Sequence, residues 1–151
     1  AACGYGTDTA IFGYGWTGSS YVSITNLVSN TGVVATNTTG VGTARASLAA
    51  CGYGSDKAIF GYGESGPYNS MTNKVSNTGV VATDTTGVGT ARYRLAACGY
   101  GIGLGIFGYG NDGASLGTAV TNLVSNTGVV ATDTAGVGTG RAALAAASYS
   151  S

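Results

Sequence analysis

Three arginines, Arg45, Arg92 and Arg141, close three copies of one phrase: LVSNTGVVATNTTGVGTAR over 27–45, KVSNTGVVATDTTGVGTAR over 74–92 and LVSNTGVVATDTAGVGTGR over 123–141. A guanidinium presents a planar fork of donors that matches carboxylate and phosphate geometry, so a set of them would suit an anion or a sugar acid. A residue that returns in every repeat can equally tie neighbouring repeats together. Each arginine would then pair with the nearby acid or amide at Asn37, Asp84 or Asp133, or cap loop carbonyls. A second set of candidates lies where the copies differ. Between a Gly-Tyr-Gly and a Thr-Asn pair stand WTGSSYVSI, ESGPYNSM and NDGASLGTAV, of nine, eight and ten residues. These carry Trp16 and Tyr21, then Glu64, Tyr68 and Asn69, then Asn111 and Asp112. Exposed aromatics beside amides and carboxylates recognise carbohydrate or protein surfaces by stacking and directional hydrogen bonds. Drift of an unconstrained loop would produce the same divergence.

Catalysis is hard to build from the remaining inventory. The chain has no histidine, which removes the commonest general base and metal ligand. Its six carboxylates are mostly scattered singly. The GYG and GVGT phrases lack the lysine and the following helix of a phosphate-binding loop. The reading is therefore a non-enzyme with no cofactor and no metal. Six Lys+Arg balance six Asp+Glu, so no basic field is offered to a nucleic acid. No apolar run approaches the ~18 residues of a membrane helix, and membrane insertion is not expected. Cys3, Cys51 and Cys98 occupy one equivalent position whose fourth copy is Ala147. The position thus wants a small residue, and buried free thiols are expected rather than a disulfide framework.

These residues must be positioned by a repeat. CGYGTDTAIFGYG from Cys3, CGYGSDKAIFGYG from Cys51 and CGYGIGLGIFGYG from Cys98 alternate with the first phrase. From each Thr-Asn (Thr25, Thr72, Thr121) to the next Cys position (Cys51, Cys98, Ala147) the count is always 26. All length variation therefore falls in the one variable segment, which marks it as a surface loop. One repeat domain results, with repeats at about 1–45, 46–92 and 93–141, and 142–151 as a fourth copy of the first strand. The chain starts inside a repeat phrase, as a processed product, an excised piece or part of something longer would. Unequal loop lengths favour natural amplification over design.

Glycine and β-branched residues crowd every window and no helical periodicity persists. Short strands fit instead: the run from Arg92 to Cys98, Ala58-Ile59-Phe60, Met71 to Val75, and Val80 to Thr83 after an Asn-Thr-Gly turn. Four short antiparallel strands per unit of this length is the arithmetic of a propeller blade.

Written as TARYRLAACGYGSDKAIFGYGESG…MTNKVSNTGVVATDTTGVGTAR, the middle repeat resembles a kelch repeat, and the resemblance covers essentially the whole chain. It lies in the arginine that opens the first strand, in a Gly-Tyr-Gly where the family has a double glycine, and in the later turn-flanked strand pair. Where kelch blades carry a tryptophan in the fourth strand, this chain has Val34, Val81 and Val130, implying thinner blades. The repeats are also similar to those of phage tail-fibre and other virion or surface proteins. The resemblance implies an all-β kelch-like β-propeller with three four-stranded blades per chain, half of a six-bladed ring. It places the arginines on innermost strands and the variable loop on the same face. Copper chemistry known in some kelch-fold proteins uses histidine and does not carry over.

Three blades leave two unpaired faces, so a homodimer closing six blades is expected. The functional expectation is a non-catalytic recognition or display module, extracellular or on a virion surface, whose partners are itself and a glycan or surface protein. Its candidate ligand-binding residues are Trp16, Tyr21, Arg45, Glu64, Tyr68, Asn69, Arg92, Asn111, Asp112 and Arg141. The alternative is a purely architectural self-assembling module.

Overall fold

The computed structural model describes residues 1–114 and 117–149. Ser115 and Leu116 of the third variable loop, and Ser150 and Ser151 at the end of the fourth first-strand copy, lie outside them. Nine strands form three antiparallel sheets, one per repeat: β1 (Ala2–Tyr5), β2 (Thr9–Trp16) and β3 (Tyr21–Val28); β4 (Ala49–Tyr53), β5 (Lys57–Gly61) and β6 (Thr72–Val75); β7 (Ala96–Tyr100), β8 (Leu104–Gly108) and β9 (Thr121–Val124). No helix occurs among the described residues. Within each sheet the order follows the chain, and the same register recurs: Cys3 faces Ile11, Cys51 faces Ile59 and Cys98 faces Ile106. The tight hairpins after the first strands depend on left-handed glycines at Gly6, Gly54 and Gly101.

Each repeat carries three continuous strands rather than the four expected. The Val80–Thr83 region and its counterparts do return along β6, but only through isolated bridges, Val75 to Val81 and Thr72 to Thr85. Three steps along β6 are thus matched by four along the returning segment, an inserted residue of the β-bulge kind. The Asn73 side chain fills the gap, its Nδ2 donating to Ala82 O at 3.0 Å and to Asp84 Oδ1 at 2.9 Å. The first and third repeats break at the same place, between Val34 and Thr38 and between Val130 and Thr134. The fourth first-strand copy differs more, and Arg141 to Ala147 forms no strand.

The sheets pack face on face in chain order, with β1 against β4 and β4 against β7. One core joins Tyr5, Ile11 and Tyr14 of the first sheet to Leu48, Ala58, Phe60 and Val75 of the second. Another joins Tyr53, Ile59 and Tyr62 of the second to Leu95, Phe107 and Val124 of the third. A single knob recurs at both junctions. Phe60 and Phe107, each 0% exposed, point at Gly13 and Gly61, where a Cβ would stand 2.8 Å and 2.7 Å from the ring tip. Glycine is needed here for the close approach and not for a turn. Of the repeat-invariant tyrosines, Tyr5, Tyr14, Tyr53 and Tyr62 are buried packing residues, whereas Tyr100 is 40% exposed.

Cys3, Cys51 and Cys98 are free thiols, and burial pushes those of Cys3 and Cys51 up to about 12. A thiol held protonated at neutral pH is a poor nucleophile and metal ligand.

Candidate functional site

The arginine-bearing turns meet the start of the next sheet, and the geometry of Arg45 and Arg92 is a repeated staple. The Arg45 guanidinium lies 4.4 Å above the Tyr14 ring of its own repeat. From there its Nε donates to Tyr62 O at 2.8 Å, Nη2 to Asn73 Oδ1 at 2.7 Å, and Nη1 to Thr43 O at 3.2 Å. Asp84 stands 3.8 Å away. Arg92 repeats the pattern over Tyr62, donating to Tyr109 O, Asn122 Oδ1 and Thr90 O. Both side chains are fully buried. Burial pulls both guanidinium pKa values down, partly countered by the tyrosine beneath and the nearby aspartate. A desolvated cation over an aromatic face is worth about 2 kcal/mol, and satisfied donors remove most of the cost of burying the charge.

The staple extends to both neighbours. Burial alone would raise the Asp84 carboxyl, but bonds from Thr43 and Asn73, with the Arg45 charge, hold it below its ordinary value. Thr43 reaches it from the preceding repeat, through its backbone N–H and its hydroxyl at 2.9 and 2.7 Å. Asp133 is held low in the same way by Thr90, Asn122 and Arg92. Tyr14, Tyr62 and Tyr109 adopt left-handed backbone, with φ of 61°, 63° and 62°. That conformation costs about 1–2 kcal/mol, and it turns each ring under its arginine while the hydroxyl donates to Val41, Val88 or Val137 O. Arg45 and Arg92 therefore have no face to offer a ligand. Arg141 takes the same pose over Tyr109, at 4.2 Å, yet is exposed.

The variable loops lie beside these turns. Trp16 and Tyr21 meet edge to face with centroids 4.8 Å apart, and Trp16 is 53% exposed. With Ala46, Ser47 and Glu64 they line an open cleft of about 280 Å³ across the first and second repeats. Glu64 is fixed there by mutual backbone bonds with Ala46 and by the Ser47 hydroxyl, which donates to its Oε1 at 2.8 Å. At the next junction Tyr68 stacks on Tyr93 at 4.7 Å, Gly113 packs against the Tyr68 ring, and Arg94 covers the other ring at 5.3 Å.

Other sequence candidates serve the loops themselves. Asn69 is buried and donates to Ser65 Oγ and Pro67 O. Asn111 Oδ1 accepts from the Gly113 N–H and Asp112 Oδ1 from the Ala114 N–H, local turns of the Asx kind. Ser47, Tyr93 and Arg94 were not among the candidates. Their signal was nevertheless present, since Tyr93-Arg94 replaces the Ala46-Ser47 of the preceding repeat in an otherwise constant phrase.

A recess of about 410 Å³ lies at the other end of the sheets, where the first hairpins meet. Its walls are turn glycines, Tyr5, Tyr53 and Tyr100, with one ion pair, Lys57 to Asp56 at 2.6 Å. The hairpin tips close on one another there, Gly6 N–H to Asp56 O and Gly54 N–H to Gly103 O. Among the described residues no group of three His, Cys, Asp or Glu could hold a metal. Compared with known proteins, the chain matches no family model and no curated sequence.

Proposed function

We propose that the chain is a non-catalytic recognition module, a kelch-like propeller arc that displays its variable loops to a neutral glycan, as part of a fibre, virion or surface protein. One observation carries the reading: the edge-to-face pair Trp16–Tyr21 forms one wall of an open cleft whose opposite wall presents Glu64 and Ser47. A sugar ring stacks its C–H face on an exposed indole, and a carboxylate and a hydroxyl at the rim accept and donate to its hydroxyls. Glu64 disfavours acidic sugars by like charge, and Arg45 and Arg92 are buried in staples. The kelch-like reading is supported by the face-on-face packing and the bulged fourth segment that returns along each third strand.

The test is a glycan array probed with the wild-type chain and with the Trp16→Ala/Tyr21→Ala double variant. Neutral glycans should be retained by the former and lost by the latter, with melting little changed, because the two rings form the last cross-strand pair at the tip of the β2–β3 hairpin and belong to neither core. A blank array across neutral and acidic glycans would leave a purely architectural module as the reading.

A further inference from the structure

We propose that the two ends of this chain are the two halves of one more sheet-to-sheet junction, completed when a second copy docks head to tail. The pattern is set by the two internal junctions. In each, a phenylalanine from the following sheet enters a socket made by a glycine, a tyrosine and an arginine of the preceding one: Phe60 against Gly13, Tyr14 and Arg45, then Phe107 against Gly61, Tyr62 and Arg92. Both ring pairs meet edge to face at 5.2 Å.

The third sheet ends in the same socket with nothing in it. Gly108, Tyr109 and Arg141 stand in the equivalent places around a cleft of about 250 Å³, also lined by Ile106 and Leu144. A Cβ at Gly108 would meet only the Thr121 methyl, at 3.3 Å, where its counterparts meet a phenylalanine ring. At the opposite end the first sheet presents the matching knob. Phe12 is 50% exposed, against 0% for Phe60 and Phe107, and Val34 of the same repeat is 54% exposed.

The polar half of the junction is split in the same way. Arg141 already holds its staple pose, over Tyr109 and with Nη1 donating to Thr139 O at 3.2 Å. Among the described residues, no acceptor reaches its Nε or Nη2. At the other end, the Nδ2 of Asn26 donates to Ala35 O and Asn37 Oδ1, as its counterparts do to their own repeats. No donor among the described residues reaches its Oδ1, the atom that takes the arginine in Asn73 and Asn122. Knob and socket, donor and acceptor are thus complementary across the ends, and a heterologous contact of this kind brings them together. Only the tail competes. Ala145 to Tyr149 are the sequence counterparts of Ala1 to Tyr5 and occupy the place of a docked first strand. Beyond Ala143 the tail makes no hydrogen bond among the described residues, so it yields readily.

The proposal rests on the repeat packing and is independent of the sugar-binding reading; the array tests one and sedimentation the other. In sedimentation equilibrium across the micromolar range the intact chain should associate. Phe12→Ala and Gly108→Ala should each weaken association by roughly thirtyfold or more, as for a central anchor residue. In dilute protein both should stay near the wild-type melting temperature, because Phe12 is half exposed and an alanine Cβ at Gly108 would touch only the Thr121 methyl among the described residues. An equimolar mixture of the two variants should pair again, since one retains the socket and the other the knob. Truncation after Leu144 should tighten association. A monomer throughout the range, association indifferent to both substitutions, or failure of the mixture to pair would each overturn the proposal.

Discussion

The junction between the second and third sheets and the open face of the third sheet are written in nearly the same letters, yet they are different environments. Arg92 and Arg141 both follow a Gly-Val-Gly-Thr, lie over a left-handed tyrosine and bond the carbonyl two residues back. Arg92 is fully buried; Arg141 is exposed. The difference is wholly in what faces them, since Arg92 meets Tyr109 O and Asn122 from the next repeat. Half of the staple is therefore local and preformed, and the other half belongs to the neighbour. Such nearest-neighbour division of stability is expected when repeats cannot bury their faces alone.

The largest contrast should come from the aromatic knobs. Phe107→Ala empties a filled socket and should cost about 4 kcal/mol in urea unfolding of dilute protein. Phe12→Ala, at the open end, should change stability by less than about 1 kcal/mol. Equal losses would mean that the two faces are not the alternatives described. Next come the staples. Arg92→Ala strands Asn122 Oδ1 and Tyr109 O without a donor and removes the ring contact, a loss of about 3 kcal/mol by the same measurement. Arg92→Lys should not restore it, because an ammonium cannot address three divergent acceptors. Arg141→Ala should lie within about 0.5 kcal/mol of wild type.

The smallest contrast is in acid. Asp84 and Asp133 have folded pKa values below the ordinary 3.8, so the folded state binds fewer protons than the unfolded one in that region. Their stabilisation is complete above that value and is lost as pH falls through the lowered folded pKa. Asp133→Asn should flatten this acid limb while leaving stability near neutrality less changed than Arg92→Ala does. The first repeat already holds an amide, Asn37, at this position and has no acid limb of its own to lose. A pH titration of the melting temperature reads the difference, and an unchanged limb in Asp133→Asn would place the titrating group elsewhere.

The amino-acid sequence alone determined what depends on neighbours along the chain. The absence of helix among the described residues and the glycine turns that close the first hairpins follow from local dihedral preference. Where length varies a surface turn was expected to hold Trp16 and Tyr21, but they close its flanking strands β2 and β3 as a cross-strand pair. The fourth strand was legible only in part. Val80 to Thr83 has strand-like residues, but the side chain of Asn73 reaches into the ladder and bulges it, and a side chain bonding to backbone leaves no periodic trace. The tertiary structure alone decided which of the repeated residues are spent on packing. Arg45 and Arg92, Phe60 and Phe107 are buried because another sheet desolvates them and supplies acceptors or a socket. Arg141 and Phe12 carry the same letters and stay in water, because burial belongs to the pair of faces and a repeated phrase encodes only one of them.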